Sequence, residues 1–431
     1  MKLSPHKIDL HLHSALSPCA EKEMTPPKII HAARAKGLKM IAITDHNTAE
    51  NAGATIEAAK ESGIFVIPGI EVQTREEVHI ICLFPSLSAC LAWQESVYQS
   101  LPKLDNRSDV FGSQQVLNQT GQLIRELPQM LLVSTSMTIE TVTAEVASLG
   151  GICIPAHIDR PSYSLMASLG FVPEGMAVSV MELSKHTSSD EAAILFPSLG
   201  DCAFISSSDA HCLTDLGSNP STIYCAGSPD FDELKKALAK KSGRKVLAKM
   251  KDLSMHIIDI IQNSIEAGAA TIKMLITEDT AKDSFIIEIA DNGRGMDEQT
   301  MAKVIDPFFT TRKTRRIGLG LPLLKAAAER CDGKLMIDSS PGKGSRVTAV
   351  FRHTHIDRAP LGNIIDAIIN LVVGSPELNL YFCHKINGRE ITFDARELRE
   401  QLEDVPLNNP AVVGWIKKYL TENYAEIAKN T

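Results

Sequence analysis

Over the first 250 residues, short runs rich in Ile and Val alternate with stretches of helical character, and this rhythm confines the chain to an α/β architecture. The expected strands are Ile8 to Leu12, Met40 to Thr44, Phe65 to Pro68, Val78 to Leu83, Ile152 to Pro155, Val178 to Leu183 and Ala203 to Ser206. Helices such as Pro27 to Ala35 and Ala49 to Glu61 fall between them. Strands spaced in this way suit a barrel better than a doubly wound sheet. At 431 residues, 44% hydrophobic and 22% charged, the chain has room for about two or three soluble domains.

Polar residues of unusual type collect where these strands end, which is where closed α/β folds gather function. The first strand ends in His11-x-His13, and residues two apart on a strand project to the same side. The second is followed by Thr44-Asp45-His46-Asn47, the third by Glu71, the fifth by His157, the sixth ends at Glu182, and the seventh is followed by Asp209-x-His211. His79 stands at the start of its strand, so either that strand runs against its neighbours or His79 enters from another side. Asp45 and Asp209 also suit helix N-caps, yet a fold has no structural need for six of its thirteen histidines at one mouth.

Imidazoles mixed with carboxylates, without thiolate pairs, suit zinc, manganese or iron. Two or three such ions would make hydroxide available from a bridging water and neutralise a phosphoryl oxygen during in-line attack. Asp209 or Asp45 would manage the proton. Arg160 is placed either to receive the phosphate or to form a surface ion pair.

The ordered set His11, His13, Asp45-His46, Glu71, His79, His157 and Asp209-x-His211 resembles the PHP superfamily, the polymerase and histidinol phosphatase metal-dependent phosphoesterases, over about residues 6 to 250. The resemblance implies a distorted (β/α)7 barrel. It also implies a first metal on His11, His13, Glu71 and Asp209, a second on Glu71, His79 and His157, and a third on His46 and His211. Where many members of the family carry an acidic residue or a histidine, this chain has Cys19, either a thiolate ligand or a buried thiol. Ser86 to Leu149, with Gln114, Gln115, Asn118 and Gln122 at helical spacing, reads as a helix-like insertion beside the mouth.

A second chemistry follows. On an amphipathic stretch, Leu253 to Ala267, Asp259 and Asn263 share one helix face. Beyond a strand come Asp291-Asn-Gly293-Arg-Gly295, then Asp306-Pro-Phe-Phe-Thr-Thr-Arg312 and Gly318-Leu-Gly320. In this order they resemble the GHKL ATP-binding fold of histidine kinases, mismatch-repair proteins and gyrases, over about residues 251 to 353. That resemblance implies an α/β sandwich. Asn263 would bind the ATP magnesium, Asp291 the adenine amino group, Gly293 and Gly295 the nucleotide's approach, Gly318 and Gly320 the phosphates, and Thr310 to Arg316 a lid. Residues 301–355 hold eleven Lys and Arg against four Asp and Glu, a local surplus of seven that suits a polyphosphate. Asp259 stands where hydrolysing members keep a base. His256 reads as packing rather than a phosphoacceptor.

The expected organisation is therefore an α/β multidomain chain: a phosphoesterase barrel over 1–250, an ATP-binding domain over 251–355, and a small C-terminal α+β appendage over 356–431. The appendage includes a hairpin at Asn387-Gly388 and the pair Trp415 and Tyr419, and it is a candidate surface for a protein partner. A net charge of -8 lowers a nucleic-acid reading. Scattered cysteines and the lack of a leader or a long apolar run point to the cytoplasm. The functional expectation is a metal-dependent phosphoesterase, acting on a phosphorylated small molecule or nucleotide, gated by ATP. The alternatives are a regulatory kinase or ATP sensor with a non-catalytic barrel, and an ATP-dependent DNA-processing nuclease.

Overall fold

The computed structural model describes residues 3–173, 176, 179–199, 202–248, 252–306, 309, 319–355, 357–403 and 405–429. The chain divides into two compact units, Met1–Met250 and Lys251–Thr431. The expected lid, Thr310 to Arg316, and Gly318 lie outside the described residues.

In the first unit β1 (Ser4–Leu12), β2 (Leu38–Ile43) and β3 (Phe65–Gln73) run parallel. They are followed by β4 (His79–Leu83), β5 (Gln115–Leu117), β6 (Leu123–Glu126), β7 (Ile152–Pro155), β8 (Val180–Leu183), β9 (Ala203–Ser206), β10 (Ser221–Cys225) and β11 (Lys245–Leu247). Seven strands form one sheet in the order β11-β10-β1-β2-β3-β4-β7. The parallel pair β8–β9 sits at its open edges, β8 beside β7 and β9 beside β11. Successive strand residues point to opposite faces, so the strands supply two apolar layers. Ile8, Leu10, Met40, Ala42, Ile67, Ile81, Val180 and Ile205 form one. Ile41, Ile43, Ile70, Ile80 and Cys82 form the other, with Ile29, Trp93 and Val142 of the flanking helices.

The position of His79 has a simple cause. β4 pairs antiparallel with β3, and Gln73 opposes His79, so the start of β4 lies beside the end of β3. The insertion departs from expectation. It contains helices Leu87–Ser100 and Ile139–Ser148, but the glutamine-rich stretch between them is the antiparallel hairpin β5–β6. The Asn118 side chain accepts from the Thr120 and Gln122 backbone N–H groups, and the Gln114 side chain bonds Leu127, Gln129 and Leu131 backbone. These local bonds give the backbone an alternative to a helix.

The second unit is one six-stranded sheet under helices. Its strands are β12 (Thr271–Asp279), β13 (Ser284–Asp291), β14 (Lys334–Ser339), β15 (Ser345–Arg352), β16 (Asn379–Ile386) and β17 (Arg389–Asp394), in the order β14-β15-β13-β12-β16-β17. Ile272, Met274, Ile276, Phe285, Ile287, Ile289, Ala349 and Phe351 alternate onto its buried face. The C-terminal α+β segment is built into this sheet: β16 runs parallel to β12 from Thr271↔Asn379 to Glu278↔Ile386. The β16–β17 turn has positive φ at Asn387 and Gly388, the combination a two-residue type I′ hairpin requires. Trp415, half exposed, stacks on Tyr419 along the helix Pro410–Lys429.

Candidate metal centre and nucleotide site

The mouth of the first unit is assembled by strand ends. The Thr44 N–H donates to Leu12 O, Glu71 N–H to Asp45 O and His13 N–H to Ala210 O, so the backbone itself sets the spacing of the segments that carry the ligands. His157, Asp209, Asn47 and Tyr163 all have positive φ, a conformation that costs non-glycine residues energy and clusters at functional sites.

Around Glu71, which is 1% exposed, lie five imidazoles. His79 Nδ1 is 2.8 Å from its Oε1, His46 Nδ1 2.8 Å from Oε2, His11 Nε2 3.3 Å and His157 Nε2 3.4 Å from Oε1, and His13 Nε2 3.5 Å from Oε2. Asp209 Oδ1 lies 3.1 Å from His13 Nε2 and 3.3 Å from His11 Nε2. His211 stacks on His13 at 4.1 Å between ring centres. All eight candidate ligands thus meet at one place. Three sets have their donor atoms close together: His11, His13 and Glu71; His46, Glu71 and His79; and His13, His46 and His211.

The hydrogen bonds behind this cluster decide what it can hold. His11 Nδ1 is 2.9 Å from a Glu182 carboxylate oxygen, and a carboxylate only accepts, so Nδ1 carries a hydrogen and Nε2 is the nitrogen left to face a cation. His13 Nδ1 is 2.9 Å from Ser17 Oγ, whose own hydrogen goes to Asp45 at 2.7 Å. The neutral His13 ring therefore leaves its Nε2 bare, as burial and the His211 and His46 charges also favour by pushing its pKa well below normal. The two Nε2 atoms face each other at 3.2 Å, with Glu71 and Asp209 alongside. Two imidazole nitrogens and two carboxylates converging on one point suit a cation, and the donor types suit a divalent transition metal.

The electrostatics agree. Burial works to raise the Glu71 carboxyl, but His79, His11 and His46 outweigh it and hold it well below the usual carboxylate range. Burial likewise opposes a charge on His11, yet Glu182, Asp209 and Glu71 lift its pKa well above normal. The positive charge drawn to His11 is a second proton at Nε2, the position a bound cation would take.

Asp45, a candidate for the proton transfer, is bonded into the support behind the ligands. It is fully buried, accepts from Ser14 N–H, Ser14 Oγ–H and Ser17 Oγ–H, and so positions the residue that orients His13. Asp9 holds Ser208, next to Asp209, by the same pair of bonds, and Asp159 holds Ser184, two residues after Glu182. Sequence reasoning missed these supports and the task of Glu182; the signal, where there was one, was a serine or carboxylate within two residues of a ligand, as with Asp9, Ser14, Asp159 and Ser208. Arg160 Nη2 lies 2.7 Å from Asp209 Oδ2 with its side chain 37% exposed, so the ion pair and access to the mouth coexist. Cys19 is not a buried thiol: it is exposed. Burial of its sulfur works upward, but hydrogen bonds with His211 and His46 bring it down to about 7.

In the second unit Asp259 and Asn263 lie half-buried on the helix Leu253–Glu266, and Gly320 opens the helix Gly320–Arg330. A Cβ on Gly320 would sit 3.4 Å from Asp259 and 3.6 Å from Asn263, so the glycine brings that helix start against both side chains. Asp291 Oδ1 accepts from Gly293 N–H and Ser345 N–H, and Oδ2 from Ser264 Oγ–H. Gly295, at φ +67°, would place a Cβ 2.0 Å from Ser340 O, so no other residue fits. His256 is fully buried, as packing requires.

Residues 9–164 match the family model of the PHP domain. Residues 249–355 match that of the histidine kinase-, DNA gyrase B- and HSP90-like ATPase. Sporulation kinase C of Bacillus subtilis is 37% identical over 97 residues, which are 22% of this chain and 22% of the relative. A 5'-3' exoribonuclease of Haemophilus influenzae is 34% identical over 99 residues, 21% of this chain and 35% of the relative. The chain thus spans only 22% and 35% of the lengths of these two relatives. Among solved structures, a lesion-specific endonuclease from Pyrococcus furiosus aligns with 23% identity over 56% of this chain and 58% of that one, at a TM-score of 0.46. Among the described residues no helix is long and apolar enough to cross a membrane.

Proposed function

For a chain that joins a PHP domain to a histidine kinase-, DNA gyrase B- and HSP90-like ATPase domain, we propose metal-dependent hydrolysis of a phosphoester, on a phosphorylated small molecule or a nucleotide, governed by ATP. The observation that carries it is the pair of Nε2 atoms of His11 and His13 facing each other at 3.2 Å beside Glu71 and Asp209.

His11, His13, Glu71 and Asp209 would hold one divalent ion, Glu71, His79 and His157 a second, and His46 and His211, with Cys19 beside them, a third. When bound, zinc, manganese or iron supplies a hydroxide at neutral pH and a neutralising charge for the phosphoryl oxygens. Glu182 and Ser17 orient His11 and His13. Arg160 offers a guanidinium to the phosphate while its ion pair holds Asp209 in place, and Asp209 is the carboxylate positioned to take a proton at the mouth. In the second unit Asn263 would hold the magnesium of ATP, Asp291 the adenine, Gly293 and Gly295 the close approach, and Gly318 and Gly320 the phosphates. Asp259 is the candidate base.

The relative named as a 5'-3' exoribonuclease supports a second reading, in which the phosphoester belongs to a nucleic-acid end. The relative named as a sporulation kinase supports a signalling role for the ATPase domain. A screen of phosphorylated metabolites and oligonucleotides, with and without ATP, separates them. Metal-dependent release of phosphate that changes with ATP supports the first reading. Transfer of the γ-phosphate to a protein, with no hydrolysis by the barrel, overturns it.

A further inference from the structure

Besides His157, the loop after β7 presents two side chains to the metal centre, and of these the phosphoesterase reading, on which this inference rests, uses only Arg160. The other is Tyr163. Its ring stacks on that of His79, with centroids 4.9 Å apart and planes 19° from parallel. His79 is 8% exposed, whereas Tyr163 is 47% exposed. One face of the tyrosine therefore covers a ligand imidazole and the rest of the ring lies open at the mouth.

The ring is held there. The His79 N–H donates to Tyr163 O at 3.0 Å, the Arg160 N–H to His157 O at 2.9 Å, and the Ile158 N–H to Glu182 O at 3.0 Å. Ser164 Oγ–H donates to Arg160 O at 2.7 Å. Tyr163 adopts φ 55°, a left-handed conformation that a bulky side chain pays for. Beyond its stack on His79, the ring is left about half in water beside a dense polar cluster. It offers a flat, rigid, amphipathic surface.

We propose that Tyr163 is the platform on which the planar ring of the substrate stacks, and that the substrate class is therefore a nucleotide, its base on Tyr163 and its phosphate between Arg160 and the ligands of Glu71. Arg160 sits on the Asp209 side and Tyr163 on the His79 side, so one loop grips both ends of the same molecule. Stacking on an aromatic face tolerates any base, which leaves identity to be set elsewhere.

The test compares kcat/KM for adenosine 5'-monophosphate, 4-nitrophenyl phosphate and ribose 5-phosphate, in full-length protein of equal metal content. All proteins carry Asp291→Asn, so that the ATPase domain does not contribute adenine binding. Tyr163→Asn keeps a residue that tolerates positive φ, and Tyr163→Phe keeps the ring. The expected result is that Tyr163→Asn lowers the ratio of ring-bearing to ringless substrate about tenfold or more, through KM, while Tyr163→Phe preserves the ratio. A ratio unchanged in Tyr163→Asn overturns the proposal and leaves the phosphoesterase reading standing. If no phosphoester is cleaved at full metal content, that reading fails first; calorimetry with adenosine 5'-monophosphate then still reads the stack, and binding equal in Tyr163→Asn and its parent overturns it.

Discussion

Glu182 offers the sharpest mutational test of the metal centre, because it touches the site only through other groups. One oxygen of its carboxylate lies 2.9 Å from His11 Nδ1 and 3.1 Å from the His157 backbone nitrogen, and the residue is 1% exposed. Glu182→Gln keeps an acceptor oxygen at the same place but removes the charge that makes His11 a better donor. Changes of this kind behind a ligand typically weaken metal affinity by about 10- to 100-fold, or about 1.4–2.8 kcal/mol. Glu182→Ala goes further and strands two buried donors at about 1–3 kcal/mol each, so the metal-free protein should also lose at least about 2 kcal/mol of stability. Competition against a chelator of known affinity, followed by urea unfolding with and without metal, reads both quantities. Affinity for metal unchanged in Glu182→Gln would refute the orientation argument. Equal stability of Glu182→Ala and the parent would refute the burial argument.

Four further outcomes are expected. Ser17→Ala removes the acceptor of His13 Nδ1 and of the His46 N–H, and should weaken metal binding about tenfold in the same competition assay. Asp291→Asn should abolish ATP binding in an equilibrium titration while the metal content of the barrel stays at the parent level. Gly295→Ala meets both positive φ and a Cβ 2.0 Å from Ser340 O; a loss of at least about 1 kcal/mol in unfolding experiments, with weaker ATP binding, is the expected result. Glu278 is held down to about 2 by hydrogen bonds from His384 and then His353, against 4.5 for a free carboxyl. A depressed carboxylate stabilises above its unfolded pKa, and that contribution disappears as pH falls from about 4.5 towards 2. The stability difference between the parent and Glu278→Gln in urea should therefore shrink over this range.

The candidate ligands could be picked out because each sits at or beside a strand end, and strand ends follow from the Ile- and Val-rich runs that precede them. His11 and His13 at the end of β1 and Glu71 in β3 are cases where local pattern and tertiary position coincide. The supports behind the ligands were not legible, since Glu182 meets His11 and Ser208 meets Asp9 across 171 and 199 residues of chain. The direction of β4 was left open by the sequence, because antiparallel and parallel strands share one side-chain period. The hairpin β5–β6 was masked by Gln114, Gln115, Asn118 and Gln122, whose spacing suits a helix while the Gln114 and Asn118 side chains bond loop backbone instead. In the second unit the Asp291 and Gly295 turn was readable from its glycines. The pairing of β16 with β12 was not, because a parallel partner a hundred residues away leaves no local mark.

The central claim is that the imidazole and carboxylate cluster around Glu71 holds metal and that phosphoester hydrolysis depends on it. Metal content by atomic emission, measured beside phosphate release in the parent and in a His11→Ala, Asp209→Ala variant, tests it most directly. The expected parent carries about two or three equivalents of transition metal, and the variant loses metal and hydrolysis together while keeping its ATP binding. A parent purified without transition metal that gains none on reconstitution, or a variant that still hydrolyses the phosphoester, would contradict the account.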